Sequence, residues 1–169
     1  MGLVSMASKK LAREFPVAKK ATLDTSKIPP NCLNLIRQIT SDHPDFVFYT
    51  GKKFAYRPNR KKTIILGPPQ PYFTLQTLHE LAHALCGHKD VSTGVSRLKV
   101  EREAWERART LFSEYQNLCP DHWSEDFVEA SLDTYRDWLH SLVRCPDCGL
   151  TRFQSDDGVF HCPYCENFR

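Results

Sequence analysis

The sequence predicts an α+β chain in which a small antiparallel sheet sits among helices and a short cysteine-rich module closes the C-terminal end. Three observations carry that expectation. β-rich runs bounded by Gly and Pro turn signals cluster between residues 46 and 66. Long stretches with apolar residues at helical spacing follow them, and the first of these contains His79-Glu80-Leu81-Ala82-His83. Finally, Cys145, Cys148, Cys162 and Cys165 stand as C-x2-C-x13-C-x2-C. The bulk numbers suit this: 169 residues, 41% hydrophobic, 25% charged, net charge +3. They fit one domain with a small appendage and do not by themselves imply nucleic acid. No apolar run reaches the ~20 residues of a membrane span. The first fifteen residues match neither a secretory signal nor a myristoylation site. The expectation is a cytoplasmic protein with no membrane partner.

In chain order, residues 1–30 are basic and end in Ile28-Pro29-Pro30, with a short helix expected near Ser8–Phe15. Asn31 is expected to cap a helix over Cys32–Thr40, with Leu33, Ile36 and Arg37 at helical spacing, ended by His43-Pro44. Phe46–Thr50, Lys53–Tyr56 and Thr63–Leu66 read as a three-strand antiparallel meander. Lys52, Lys53, Arg57, Arg60, Lys61 and Lys62 fall on its turns. They read first as a solvated rim, second as a patch for acidic protein or nucleic acid. The last strand, just before the H-E-x-x-H helix, offers an edge on which an extended peptide can pair.

The helix over residues 74–87 carries the chemistry. Thr74 reads as its N-cap and Gly87 as its stop, with Leu75, Leu78, Leu81, Ala82 and Leu85 as a buried stripe. His79 and His83, one turn apart, present two imidazoles to one point, which is half of a tetrahedral zinc site. Glu80 lies beside them, where it can take a proton from a water activated by the metal. The third ligand is sought among Glu101, Glu103, Cys86 and His88. On the helix over residues 97–117, Leu98, Trp105, Ala108 and Phe112 bracket Glu101 on the inward face, whereas Glu103 lies on the flank with Arg107. A carboxylate in an apolar stripe needs a compensating charge, and a metal ion supplies one. Glu101 is therefore the expected ligand, with Glu103 the fallback. A further helix over residues 124–142 is capped by Ser124 and turns Phe127, Val128, Leu132, Tyr135, Leu139 and Leu142 inward. Tyr72, His88, His122, Tyr135 and His140 all remain open as donors to a developing oxyanion.

The cysteine spacing makes two knuckles whose four thiolates close a tetrahedron, with a hairpin between them turning at Ser155-Asp156-Asp157. This is a zinc ribbon pattern, and an all-cysteine site is structural. Its use as a protein-docking or stabilising module is favoured slightly over reading DNA. The remaining thiols, Cys32, Cys86 and Cys119, read as small buried hydrophobes.

The strings H-E-L-A-H-A-L-C-G-H and E-R-E-A-W-E-R-A resemble the ImmA/IrrE metallopeptidases. Those proteins write the zinc helix as H-E-x-x-H-A-L-L and carry E-x-x-A on a later helix, its first Glu binding zinc. Carried over, the ligands are His79, His83 and Glu101 and the catalytic glutamate is Glu80. The resemblance covers residues 45–112. It implies a zincin-like core in a metallopeptidase domain, expected over 1–143, with the C4 ribbon that the cysteine spacing predicts over 144–169. It also implies a catalytic zinc, beside the structural zinc expected from the cysteines, and cleavage of a specific intracellular protein, often a helix-turn-helix repressor. The chain departs from the family in having Trp105 where Asn is usual, and the cysteine module where an L-L-M-P-like segment is usual. Two other readings stand beside it. SprT-like proteases also join H-E-x-x-H to a zinc ribbon and act on DNA-bound proteins, normally with a third His. The last reading is a zinc-binding regulatory protein that cuts nothing.

Overall fold

The computed structural model describes residues 23–59, 62–89 and 94–167. The helix expected near Ser8–Phe15 lies outside them. The chain is α+β. Helix α1 (Leu33–Asp42) leads into strands β1 (Val47–Thr50), β2 (Ala55–Arg57) and β3 (Thr63–Leu66). Helices α2 (Phe73–Leu85), α3 (Gly94–Glu114) and α4 (Glu125–Val143) follow. The chain then makes a small hairpin, β4 (Phe153–Gln154) and β5 (Phe160–His161), and a last turn, α5 (Pro163–Asn167). Among the described residues no helix is long and apolar enough to cross a membrane.

The sheet departs from the expected antiparallel meander. Its order is β1-β3-β2, with β1 parallel and β2 antiparallel to β3. The hairpin from β2 to β3 is as expected; the hairpin from β1 to β2 does not form. The reason is burial. A central strand is covered on both faces, and Thr63-Ile64-Ile65-Leu66 is the most apolar of the three, with all but Ile65 buried. Residues 51–62 are long enough to return the chain parallel to β1, and β2 lies within them. Gly51 marks the crossing: its N–H donates to the Leu66 carbonyl at 2.8 Å, and a Cβ there would stand 2.5 Å from Ile65 Cγ2. Because β3 is central, it offers no free edge. The strand beside the polar cluster is β2.

Helix α2 runs through the core. Ten of its thirteen residues are buried, among them His79 and His83. Thr74 is not its cap. The helix begins one residue earlier, after Tyr72 in the left-handed region (φ 61), with no side-chain cap. Thr74 is fully buried, and its N–H faces Asp121 Oδ2 at 3.4 Å, so an acid from a distant loop serves the positive end of the helix. Gly87 does stop the helix. It adopts φ 67, and the returning bonds Gly87 N–H to Ala84 O (3.2 Å) and His88 N–H to His83 O (3.1 Å) form a Schellman turn.

Elsewhere the expected helices shift by a few residues. Asn31 sits in a 3-10 turn and caps nothing; α1 starts at Leu33 and buries Leu35, Ile36 and Ile39. On α3, Glu101, Ala104, Trp105, Ala108 and Leu111 are buried. Ser124 caps α4, accepting the Phe127 N–H at 3.2 Å.

Candidate metal centres and the cleft around them

Helices α2 and α3 bring three side chains to one point. His79 Nε2 and His83 Nε2 are 3.0 Å apart. Glu101 Oε2 is 3.2 Å from the first and 3.4 Å from the second. Ligands about 2.0–2.1 Å from a tetrahedral zinc ion lie about 3.3–3.4 Å apart. The triangle therefore matches one face of a zinc tetrahedron and leaves the fourth corner toward the cleft. Glu101 is 7% exposed, the exposure expected of an acid on the inward stripe. Glu103 is exposed and stands away from this group.

The protonation states also suit a cation. Burial pushes the His79 imidazole down to about 4 despite the neighbouring carboxylate, so it is neutral at neutral pH. Burial pushes the Glu101 carboxyl up, but hydrogen bonds from His79 and His83 outweigh it and hold the group well below the usual carboxylate range. Neutral imidazoles and an ionised carboxylate are the forms that bind metal. Glu80 differs: burial raises its carboxyl to about 7, opposed by His83 and by the Tyr56 backbone N–H. Two carboxyls of one cleft thus have opposite tendencies, Glu101 held toward its ionised form and Glu80 raised toward neutrality.

Three neighbours complete the site. Trp105 stacks on His79, with ring centroids 4.1 Å apart, and fixes its plane. In sequence Trp105 was one more stripe residue; its position four after Glu101 is the signal that it shares the ligand face. Tyr135 reaches Glu101 from α4, and burial with that hydrogen bond raises its hydroxyl to about 12, so it remains a donor. Of the five oxyanion-donor candidates, the structure brings Tyr135 and His88 to the cleft; Tyr72, His122 and His140 do not line it. His88 is placed by the Schellman turn, its Nδ1 2.8 Å from His83 Nδ1 and its Nε2 3.5 Å from Glu103 Oε2. Cys86, His88 and Glu103 also lie together, with ligand atoms within 4.8 Å.

The centre opens into a cleft of about 570 Å3 walled by β2, the residues after α2, the start of α3 and Tyr135. Lys53 and Arg57 are exposed, as the solvated-rim reading expects, and both line it. A smaller lobe of about 240 Å3 continues past Glu80 and His79 and is lined by Phe54, Trp105 and Phe127.

The second group is Cys145, Cys148, Cys162 and Cys165, with all four sulfurs within 4.8 Å. The Cys145–Cys165 and Cys148–Cys162 sulfur separations are 3.8 and 3.5 Å, close to the about 3.8 Å edge of a zinc–thiolate tetrahedron. Backbone N–H groups of Cys148 and Asp147 pull the Cys145 thiol down to about 7. Gly149, at φ 73, makes the first knuckle, with its N–H on the Cys145 carbonyl at 2.9 Å. The β4–β5 hairpin joins the two knuckles, and Arg152 ties it to the end of α4 through its guanidinium on the Leu142 carbonyl and its N–H on Val143 O. Both groups are candidate metal-binding sites compatible with zinc. Comparison of the chain with known protein families, curated protein sequences and solved structures returns no match.

Proposed function

We propose that the protein is a zinc-dependent endopeptidase with a catalytic ion on His79, His83 and Glu101 and a structural ion on the four cysteines. One observation carries this reading: three ligand atoms form an open tetrahedral face with Glu80, its carboxyl near 7, beside them in a cleft. A zinc ion held by these residues would supply Lewis acidity toward a carbonyl and would acidify water. Glu80 takes the proton of the attacking water as the new C–O bond forms, then delivers it to the departing amine as the C–N bond breaks. Tyr135, held protonated, donates to the oxygen that gains charge. Glu101 stays ionised throughout, and Trp105 keeps the His79 ring in line. The outer edge of β2 can hold an extended chain by main-chain hydrogen bonds.

The ImmA/IrrE resemblance extends the proposal to a cytoplasmic substrate such as a helix-turn-helix repressor. Paired C-x2-C units read as metal ligands fit that compartment. A SprT-like third histidine is disfavoured because His88 meets the outer nitrogen of His83 and Glu101 occupies the third corner. The test is to mix wild type and Glu80→Gln with repressor-like proteins encoded beside it and to follow zinc-dependent fragments. Cleavage by wild type alone is expected. A count of two zinc ions per chain supports the reading; a single ion, retained when His79 and His83 are replaced, supports a binding protein that cuts nothing.

A further inference from the structure

The cleft is chemically lopsided about its centre. On one side four cations, Lys53, Arg57, Lys89 and Arg97, line the larger lobe. They come from β2 and the segment just before it, from the segment after α2 and from the first turn of α3, so they converge from separate walls. No ion pair among the described residues involves any of them, whereas Arg102, Arg107, Arg109 and Arg136 each hold a carboxylate. The two acids lining this lobe are Glu80 and Glu101, and Glu101 is bound up with the imidazoles. Arg97 is positioned by more than its own helix. Its guanidinium carbon lies 5.7 Å from the Tyr135 ring and 5.6 Å from the Trp138 ring, so two aromatic faces hold the fork beside the hydroxyl that meets Glu101. A stacked guanidinium keeps its N–H donors in a plane suited to a carboxylate and loses little freedom on binding one. On the other side, the smaller lobe is lined by Phe54, Trp105 and Phe127 with the neutral Gln76, Ser131 and Thr134. Phe54, His79, Glu80 and Tyr135 line both lobes and mark the boundary, which leaves Trp105 and Phe127 as the aromatic groups of the smaller lobe alone.

We infer that the cleft selects a peptide segment with acidic side chains on one side of the reacting bond and an apolar side chain on the other. This rests on the peptidase reading of the same centre. Cations gathered on three walls attract an acidic segment and hold it, and the apolar lobe takes a side chain that the cations leave unpaired. Nucleic acid is the other polyanion, but the lobe beyond the centre offers aromatic and neutral groups where a continuing phosphate chain needs cations.

The experiment uses the full chain as the zinc-loaded Glu80→Gln variant and eight fluorescein-labelled twelve-residue peptides. These carry two Glu or two Gln on one side of a central Ala-Gly, and Leu or Ser on the other, made in both orientations. Anisotropy at low salt is expected to show the Glu/Leu peptide binding about tenfold or more tighter than Gln/Leu in one orientation, the preference shrinking as salt rises. Arg97→Ala should cut the preference several-fold, and Arg97→Lys should keep part of it. Equal binding of Glu and Gln peptides, or binding of none, overturns the inference. So does a preference that survives combined Arg57→Ala, Lys89→Ala and Arg97→Ala replacement, since the metal alone would then be holding the carboxylates. Displacement by a twelve-residue oligothymidylate as readily as by the Glu/Leu peptide overturns it as well. Wild-type cleavage separates the two proposals. If Gln/Leu is cut as fast as Glu/Leu, charge selection falls and the peptidase stands; if Glu/Leu binds selectively and nothing is cut, the reverse holds.

Discussion

Replacing Glu101 by Gln keeps the side chain's shape and removes its charge. In the metal-free protein two effects oppose each other. The carboxylate loses its charge-assisted contacts with His79 and His83, at 3.2 and 3.4 Å, but a buried charge is also removed. The larger effect falls on metal. Residues that merely orient a ligand cost about 10–100-fold in affinity when lost, so loss of the one anionic ligand should cost at least about 100-fold. At free zinc about 1,000 times the wild-type Kd, binding stabilises the wild type by about 4.1 kcal/mol and a variant 100-fold weaker by about 1.4 kcal/mol. The difference of about 2.7 kcal/mol, at about 2–4 °C per kcal/mol for a chain of this size, makes the zinc-induced rise in Tm about 5–11 °C smaller. Calorimetry in zinc buffers reads this directly, provided metal analysis shows the cysteine site filled in both proteins. If Glu101→Gln keeps the full zinc-induced rise, Glu101 is no ligand and the centre proposed on α2 and α3 is wrong.

Four further outcomes are expected. Glu80→Gln should keep both zinc ions and lower peptide hydrolysis by at least about 100-fold; cleavage at the wild-type rate puts the base elsewhere. Because the folded protein raises Glu80 to about 7 from 4.5, its contribution to stability is full below about 4.5 and disappears as pH rises through about 7. Metal-free wild type should therefore lose stability relative to Glu80→Gln over that window, and parallel denaturation curves at each pH would exclude the shift. His88→Ala should weaken zinc binding about 10–100-fold in chelator competition, since a metal on His83 Nε2 leaves Nδ1–H to donate to His88 Nδ1 at 2.8 Å. Glu103→Gln, whose partner is 3.5 Å away and whose own side chain is exposed, should change it less. Cys162→Ser should release one zinc per chain and open the β4–β5 hairpin, whose strands are two residues each. Exchange of the hairpin amides should rise while those of α2 stay protected, and unchanged protection would mean that the hairpin stands without metal.

Much of the candidate site follows from local geometry. One turn of helix separates His79 from His83, so their imidazoles share a face wherever the helix goes. The same 100° per residue turns Glu101 inward and Glu103 outward, and two C-x2-C pairs bring four sulfurs within reach of one ion. Tertiary contacts supply the rest. The order β1-β3-β2 depends on which strand is most worth covering on both faces, a competition among distant segments that the turn signal at Gly51 does not register. Thr74 looks like a cap, yet Asp121, 47 residues on, serves the helix end and leaves Thr74 for the core. Tyr135 and His88 reach the cleft because α4 crosses α3 and because the turn at Gly87 folds back on His83, while Tyr72, His122 and His140 look equally suitable in the string of letters. A period of 3.6 residues and a spacing of two between cysteines are properties of the backbone nearby. Which side chain meets which from another element depends on packing free energy summed over the whole core, and no short stretch of chain contains that sum.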